Sequence, residues 1–103
     1  MVKQLIPLNP VSNQNVRVGL GGQNVQLRID TKLNIGTFID VYLAGEPVIL
    51  GMQCRNNVPM IQLAYLGFRG DLTFYDMQGN SDPFFTGFGS RYILVWDSEA
   101  KLQ

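Results

Sequence analysis

The chain contains no histidine and only one cysteine, Cys54. Without histidine, Ser-His-Asp and Cys-His nucleophilic sets cannot assemble within one chain. Zinc loses its commonest nitrogen ligand, and an imidazole pH switch is excluded. A lone cysteine forms no intrachain disulfide. It closes the apolar run Val48-Ile49-Leu50-Gly51-Met52-Gln53-Cys54, where the expected role is that of a small buried hydrophobe. Charge is scarce as well: 16% of residues are charged, and eight basic residues cancel eight acidic ones. Nucleic-acid binders carry a basic excess, because neutralising phosphates supplies much of their affinity. Here Arg17, Arg28, Arg55, Arg69 and Arg91 are spread along the whole chain, so no nucleic-acid partner is expected. No stretch approaches the roughly 20 apolar residues of a membrane helix, and no membrane partner is expected either. The apolar part of Met1–Pro7 is too short for a secretory leader, which points to synthesis in the cytoplasm.

What is present is a hydrophobic fraction of 46% in 103 residues, enough for one modest core and one domain. Asn and Gln make up much of the remaining surface. That low-charge surface suits a protein lying against other proteins, and equally a plain soluble domain.

Period-2 alternation dominates the chain. Val16, Val18 and Leu20 alternate with Asn15, Arg17 and Gly19; beyond Gly21-Gly22, Val25, Leu27 and Ile29 alternate with Gln26, Arg28 and Asp30. Two such runs around Gly-Gly predict an antiparallel hairpin with one buried face. A third strand is predicted over Thr37–Leu43 and a fourth over Val48–Cys54, joined by the turn Ala44-Gly45-Glu46-Pro47. Arg55–Pro59 reads as a loop. Met60–Leu66 fits a strand or one helical turn equally well. Further strands are predicted over Asp71–Met77 and Arg91–Trp96. Between these two lies a segment, Gln78–Gly89, whose Gly79, Gly87, Gly89 and Pro83 forbid regular structure. The expected fold is mainly β, a small antiparallel barrel or sandwich of six or seven short strands. It forms a single domain over residues 1–97 with a tail over 98–103.

The carboxylates Asp30, Asp40, Glu46, Asp71, Asp76, Asp82, Asp97 and Glu99 are the remaining source of chemistry. Nearly all flank predicted turns, where Asp accepts from nearby backbone N–H groups, so a facing catalytic pair is not expected. Asp76 and Asp82 bracket Gln78-Gly79-Asn80-Ser81 like a calcium loop but lack the alternating oxygen ligands and closing Glu of an EF-hand. Gly19-Leu20-Gly21-Gly22 precedes a strand and not a helix, which removes a phosphate cradle. Neither a cofactor nor a metal is expected.

The most distinctive stretch is GFRGDLTFYDMQGNSDPFFTGFGSRYILVW, Gly67 to Trp96. Its Phe84, Phe85 and Phe88 stand among glycines. They can fold back onto the core or form an exposed aromatic patch that docks on a partner. Arg91 is positioned in sequence to make a forked bond to Asp82 or Asp76 and so pin the loop.

This stretch resembles the baseplate plug family of cyanophages. The resemblance runs through Tyr65-Leu66-Gly67, Gly70-Asp71-Leu72, Asp76-x-Gln78-Gly79, Asp82-Pro83, Thr86-Gly87-x-Gly89 and Ser90-Arg91-Tyr92. Ile6-Pro7-Leu8 and Asn24 extend it to the opening of the chain. Two positions depart from the family pattern, in which a polar or acidic residue is usual at Phe84 and Leu at Phe88. The resemblance ends at Trp96. It implies a structural part of a contractile phage tail, at the baseplate near the hub and the end of the tail tube. The implied partners are other baseplate and tail proteins (hub, spike or tube), with the chain as a homo-oligomer in the virion. Its interaction or loop-structuring residues would be Asp71, Asp76, Gly79, Asp82, Pro83, Phe84, Phe85, Gly87, Phe88, Gly89 and Arg91. The competing expectation is a small β-barrel that binds a saccharide or single-stranded nucleic acid by stacking on Tyr42, Tyr75, Tyr92 and Trp96. A carboxylate-dependent hydrolase of cell wall is the weakest fit.

Overall fold

The computed structural model describes residues 3–61 and 68–98. Seven strands occupy Lys3–Ile6 (β1), Asn13–Leu20 (β2), Gln23–Lys32 (β3), Gly36–Leu43 (β4), Glu46–Gln53 (β5), Asp71–Asp76 (β6) and Tyr92–Asp97 (β7). They form two antiparallel sheets, ordered β2-β3-β4-β5 and β1-β7-β6. The sheets are not closed into a barrel, so the molecule is a sandwich. No α-helix occurs among the described residues.

The alternation seen in the sequence is what builds the first sheet. Register pairs Val18 with Val25, Val16 with Leu27 and Gln14 with Ile29, and then Leu27 with Val41 and Ile29 with Ile39. One face of the meander is therefore apolar, and Val25, Leu27, Ile29, Ile39 and Val41 are buried on it. Gly21 and Gly22 form the β2–β3 turn with φ of 58° and 83°, the left-handed pair that a two-residue hairpin requires. Gly21 also lies against the indole: a Cβ there would come within 2.6 Å of Trp96 Cη2. The turn is pinned to the chain before β6, because Arg69 Nη1 donates to Gly21 O (2.7 Å) and the Gln23 amide exchanges two bonds with the Arg69 backbone.

β7 supplies the opposing face. Tyr92, Leu94 and Trp96 alternate with half-buried Ile93 and Val95, and Leu72, Phe74 and Ile6 pack beside them in one core cluster with the first sheet. Trp96 is 1% exposed and donates its indole N–H to Arg69 O at 2.8 Å.

Several boundaries differ from those the sequence predicts. β1 was not expected: four residues are too few to show a period, and the strand exists because β7 offers it a partner. β5 begins at Glu46, so the preceding turn shrinks to Ala44-Gly45, both with positive φ. Two register shifts interrupt its pairing with β4. At the first, Asp40 Oδ1 accepts from Gly51 N–H at 2.6 Å. Bulges and Pro47 are devices that blunt an exposed edge. The edge of β6 is covered differently. Asn56 bridges to Phe74 in parallel, and Asn57 and Met60 donate to the carbonyls of Phe74 and Leu72. Met60 is thus irregular backbone along β6, while 62–66 of the ambiguous segment lie outside the described residues. Cys54 is buried as a hydrophobe, and burial pushes its thiol well above the ordinary range, which leaves it unreactive.

Candidate interaction loop

β6 ends at Asp76 and β7 starts at Tyr92, and the connection between them folds around Asp76. Its Oδ1 accepts from Gln78 N–H (2.9 Å) and Arg91 Nε–H (2.8 Å). Its Oδ2 accepts from Ser81 N–H (2.8 Å) and Arg91 Nη2–H (2.9 Å). Of the two carboxylates the sequence offers Arg91, the guanidinium takes Asp76 in a fork, the strongest ion-pair geometry available. The Asp76 side chain is fully covered, while the Arg91 side chain is about a third exposed. The Arg91 hydrogen bonds hold the Asp76 carboxyl well below the usual carboxylate range. Burial pushes the other way, and the Gln78 and Ser81 N–H groups reinforce Arg91. Arg91 in turn is raised, chiefly by the same bonds. Its Nη2 also donates to Ser81 Oγ at 3.2 Å, and Met77 N–H closes the base of the loop on Arg91 O at 2.7 Å.

Asp82 turns elsewhere. Its Oδ1 accepts from the backbone N–H of Asn56 at 3.0 Å, and the Asn56 side-chain carbonyl accepts from Asp76 N–H at 2.8 Å. Asn56 thus stitches both ends of the Asp76–Asp82 segment to the loop before β6. Sequence reasoning passed over Asn56, since nothing in a plain loop residue announces partners 20 and 26 positions away. Thr37 was missed for the same reason. Its buried hydroxyl donates to Pro83 O (2.8 Å) and bonds Thr31 Oγ1 (2.8 Å), which fixes buried Pro83 against the base of the β3–β4 turn. The calcium-loop geometry does not arise, because a guanidinium and two backbone N–H groups already fill the Asp76 oxygens.

The three phenylalanines divide. Phe88 is 3% exposed and stacks on Phe74 with centroids 5.6 Å apart at 21°, so it is a core residue and not part of an exposed aromatic patch. Phe84 and Phe85 are half-buried, tilted against each other at 5.0 Å, and pack on the rim of the core. A single 3-10 turn over Phe85–Gly87 interrupts a segment for which no regular structure is expected. Gly87 is required there, since a Cβ would stand 2.6 Å from the Tyr92 ring. Gly89 takes φ of 84°, and a Cβ there would approach Leu8 O, whereas a Cβ added at Gly79 would make only ordinary contact with Arg91 and Asp76. Asp71 stands apart at the far end of β6. It is buried, and its Oδ1 accepts from Met60, Ile61 and Leu72 N–H groups at 2.7–3.1 Å. Of the eleven residues singled out by sequence, Asp76 and Arg91 meet directly, Asp82 bonds Asn56, Phe88 joins the core, and Asp71 lies in a separate structural cluster at the other end of β6.

Of the four rings suggested for ligand stacking, two lie in the core. Tyr92 and Trp96 are buried, and Tyr42 and Tyr75 are half-buried.

A protein-family model described as "Cyanophage baseplate Pam3 plug gp18" matches residues 3–99. The chain belongs to this baseplate plug family. It is therefore a viral structural protein of the phage baseplate, with its place in the virion tail. The family match carries past Trp96, where the resemblance visible in the sequence stops, and starts at the first residue of β1. No match to a curated protein was found. Of the two positions that the sequence reading sets apart from the plug pattern, Phe88 falls inside the core and Phe84 on the half-buried rim.

Proposed function

We propose that this plug-family protein is a contractile-tail component at the end of the tail tube. It associates with the hub, spike or tube as a homo-oligomer and acts through protein–protein contacts without catalysis. The observation that carries the reading is the family match over residues 3–99 together with a loop whose every turn is tied down. A clamp of this kind fixes a surface shape in advance, which lowers the ordering cost of docking. The docking end is apolar. The Thr31–Thr37–Pro83 bonds join the Phe84-Phe85 rim to the β3–β4 turn, whose tip exposes Leu33 (70%) and Ile35 (62%). Exposed apolar groups gathered at one end fit a contact that is completed by a neighbour.

The test is mass spectrometry on sedimented tails from the phage or prophage that encodes the chain. A fixed low ratio to tail sheath supports the reading, whereas intact tails lacking the chain refute it. Leu33→Asp, at an exposed turn tip, is expected to reduce incorporation while leaving the melting temperature of the isolated protein near that of the wild type. Tails that incorporate it normally would remove this end as the contact.

A further inference from the structure

The sandwich treats its edges unequally. β5 is bulged and carries Pro47, β6 is overlaid by residues 56–60, and β1 has only four residues. β2 has eight residues, no proline and an unbroken register with β3. Native proteins protect such a strand unless another strand is meant to pair with it. The direction of its backbone groups follows from two bonds. Ser12 O accepts from Thr31 N–H of β3, while Gly19 O accepts from the Gln4 side chain on the other side. By the antiparallel alternation, even-numbered residues of β2 bond β3, and the N–H and C=O groups of Asn13, Asn15 and Arg17 point outward.

The side chains beside this open row have a definite chemistry. Val16 and Val18 are half-buried on the core face. On the opposite face Arg17 and Arg28 are diagonal neighbours, since Arg17 pairs with Gln26 and Arg28 with Asn15. Both are exposed, and neither has an ion-pair partner among the described residues. A shallow groove lined by Arg17, Gly19, Asn24, Gln26 and Gly45 adjoins them.

We propose that β2 accepts an extended segment of a neighbouring baseplate protein as a fifth strand of its sheet. That segment would alternate carboxylate residues, facing Arg17 and Arg28, with apolar residues that extend the Val16–Val18 face. Main-chain bonds supply the attachment and the arginines select the acidic register. The inference rests on the assembly role proposed above and adds a second contact, along β2, to the apolar one at the β3–β4 turn.

Asn15→Pro tests the backbone row directly. It removes an outward N–H that the β2–β3 ladder does not use, a position where an edge strand tolerates proline. Arg17→Glu, on an exposed side chain, tests the charge without touching the backbone. Each full-length variant replaces the wild type in the encoding phage or prophage, and purified tails are quantified by mass spectrometry. Both variants are expected to lower incorporation by about tenfold or more, with circular dichroism of the isolated proteins unchanged. Wild-type incorporation of both variants overturns the strand contact and leaves the baseplate role standing. Loss with Asn15→Pro alone overturns the acidic partner. A wild-type dimer in sedimentation that Asn15→Pro converts to monomer gives the edge to a second copy and overturns the neighbour. Tails that lack even the wild-type chain refute the assembly role itself.

Discussion

Replacing Phe88 by alanine separates the two roles open to the aromatic loop. The ring is 3% exposed and stacks on Phe74, so its removal deletes nearly a full side chain from the core. Burial of a Phe contributes about 1.5–3 kcal/mol of transfer free energy, and the stacked pair about 0.5–1.5 kcal/mol more. A residual cavity brings the total to the roughly 3–5 kcal/mol typical of Phe→Ala. That is a large share of the about 5–15 kcal/mol that holds a domain together. In urea, followed by Trp96 fluorescence, the midpoint should fall with little change in slope, the pattern of lost stability without an altered unfolded state. Phe84→Ala, on the rim, should cost clearly less, roughly 1 kcal/mol. A Phe88→Ala protein within 1 kcal/mol or so of wild type would refute the core assignment and return this ring to the surface.

Arg91→Ala removes the fork on Asp76. Faster proteolysis between Met77 and Ser90 and a lower melting temperature are expected; an unchanged digestion pattern and melting curve would show that the clamp does not hold the loop. The pH dependence follows from the lowered Asp76 carboxyl. The clamp's contribution is present above the unfolded-state value of about 3.9 and is lost only as pH falls through the depressed folded value. The wild type should keep its loop protection at a pH where ordinary aspartates protonate, and Arg91→Ala should lose it at higher pH; coincident acid transitions would count against this. Asp71→Ala takes one carboxylate from three backbone N–H groups and should cost about 2–3 kcal/mol in chemical denaturation, without changing proteolysis of the 77–91 loop. A stability loss under about 0.5 kcal/mol would mean that water replaces it.

The sequence by itself determined the β class, the β2–β3 hairpin and most strand positions, because period-2 alternation and Gly-Gly turn chemistry act within a few residues. It also excluded histidine-dependent catalysis outright, and the plug-family pattern was legible in residues 65 to 96. Tertiary structure decided what depends on partners distant in the chain. β1 exists only through its pairing with β7, and the choice of sandwich over barrel rests on how edges far apart in sequence meet. Arg91 could reach either Asp76 or Asp82 by spacing; Asn56, positioned along β6, takes Asp82 and leaves Asp76 to the guanidinium. Three phenylalanines in a glycine-rich loop look alike in sequence. Phe88 is core because the loop's return to β7 lays it on Phe74, whereas Phe84 and Phe85 pack half-buried on the rim.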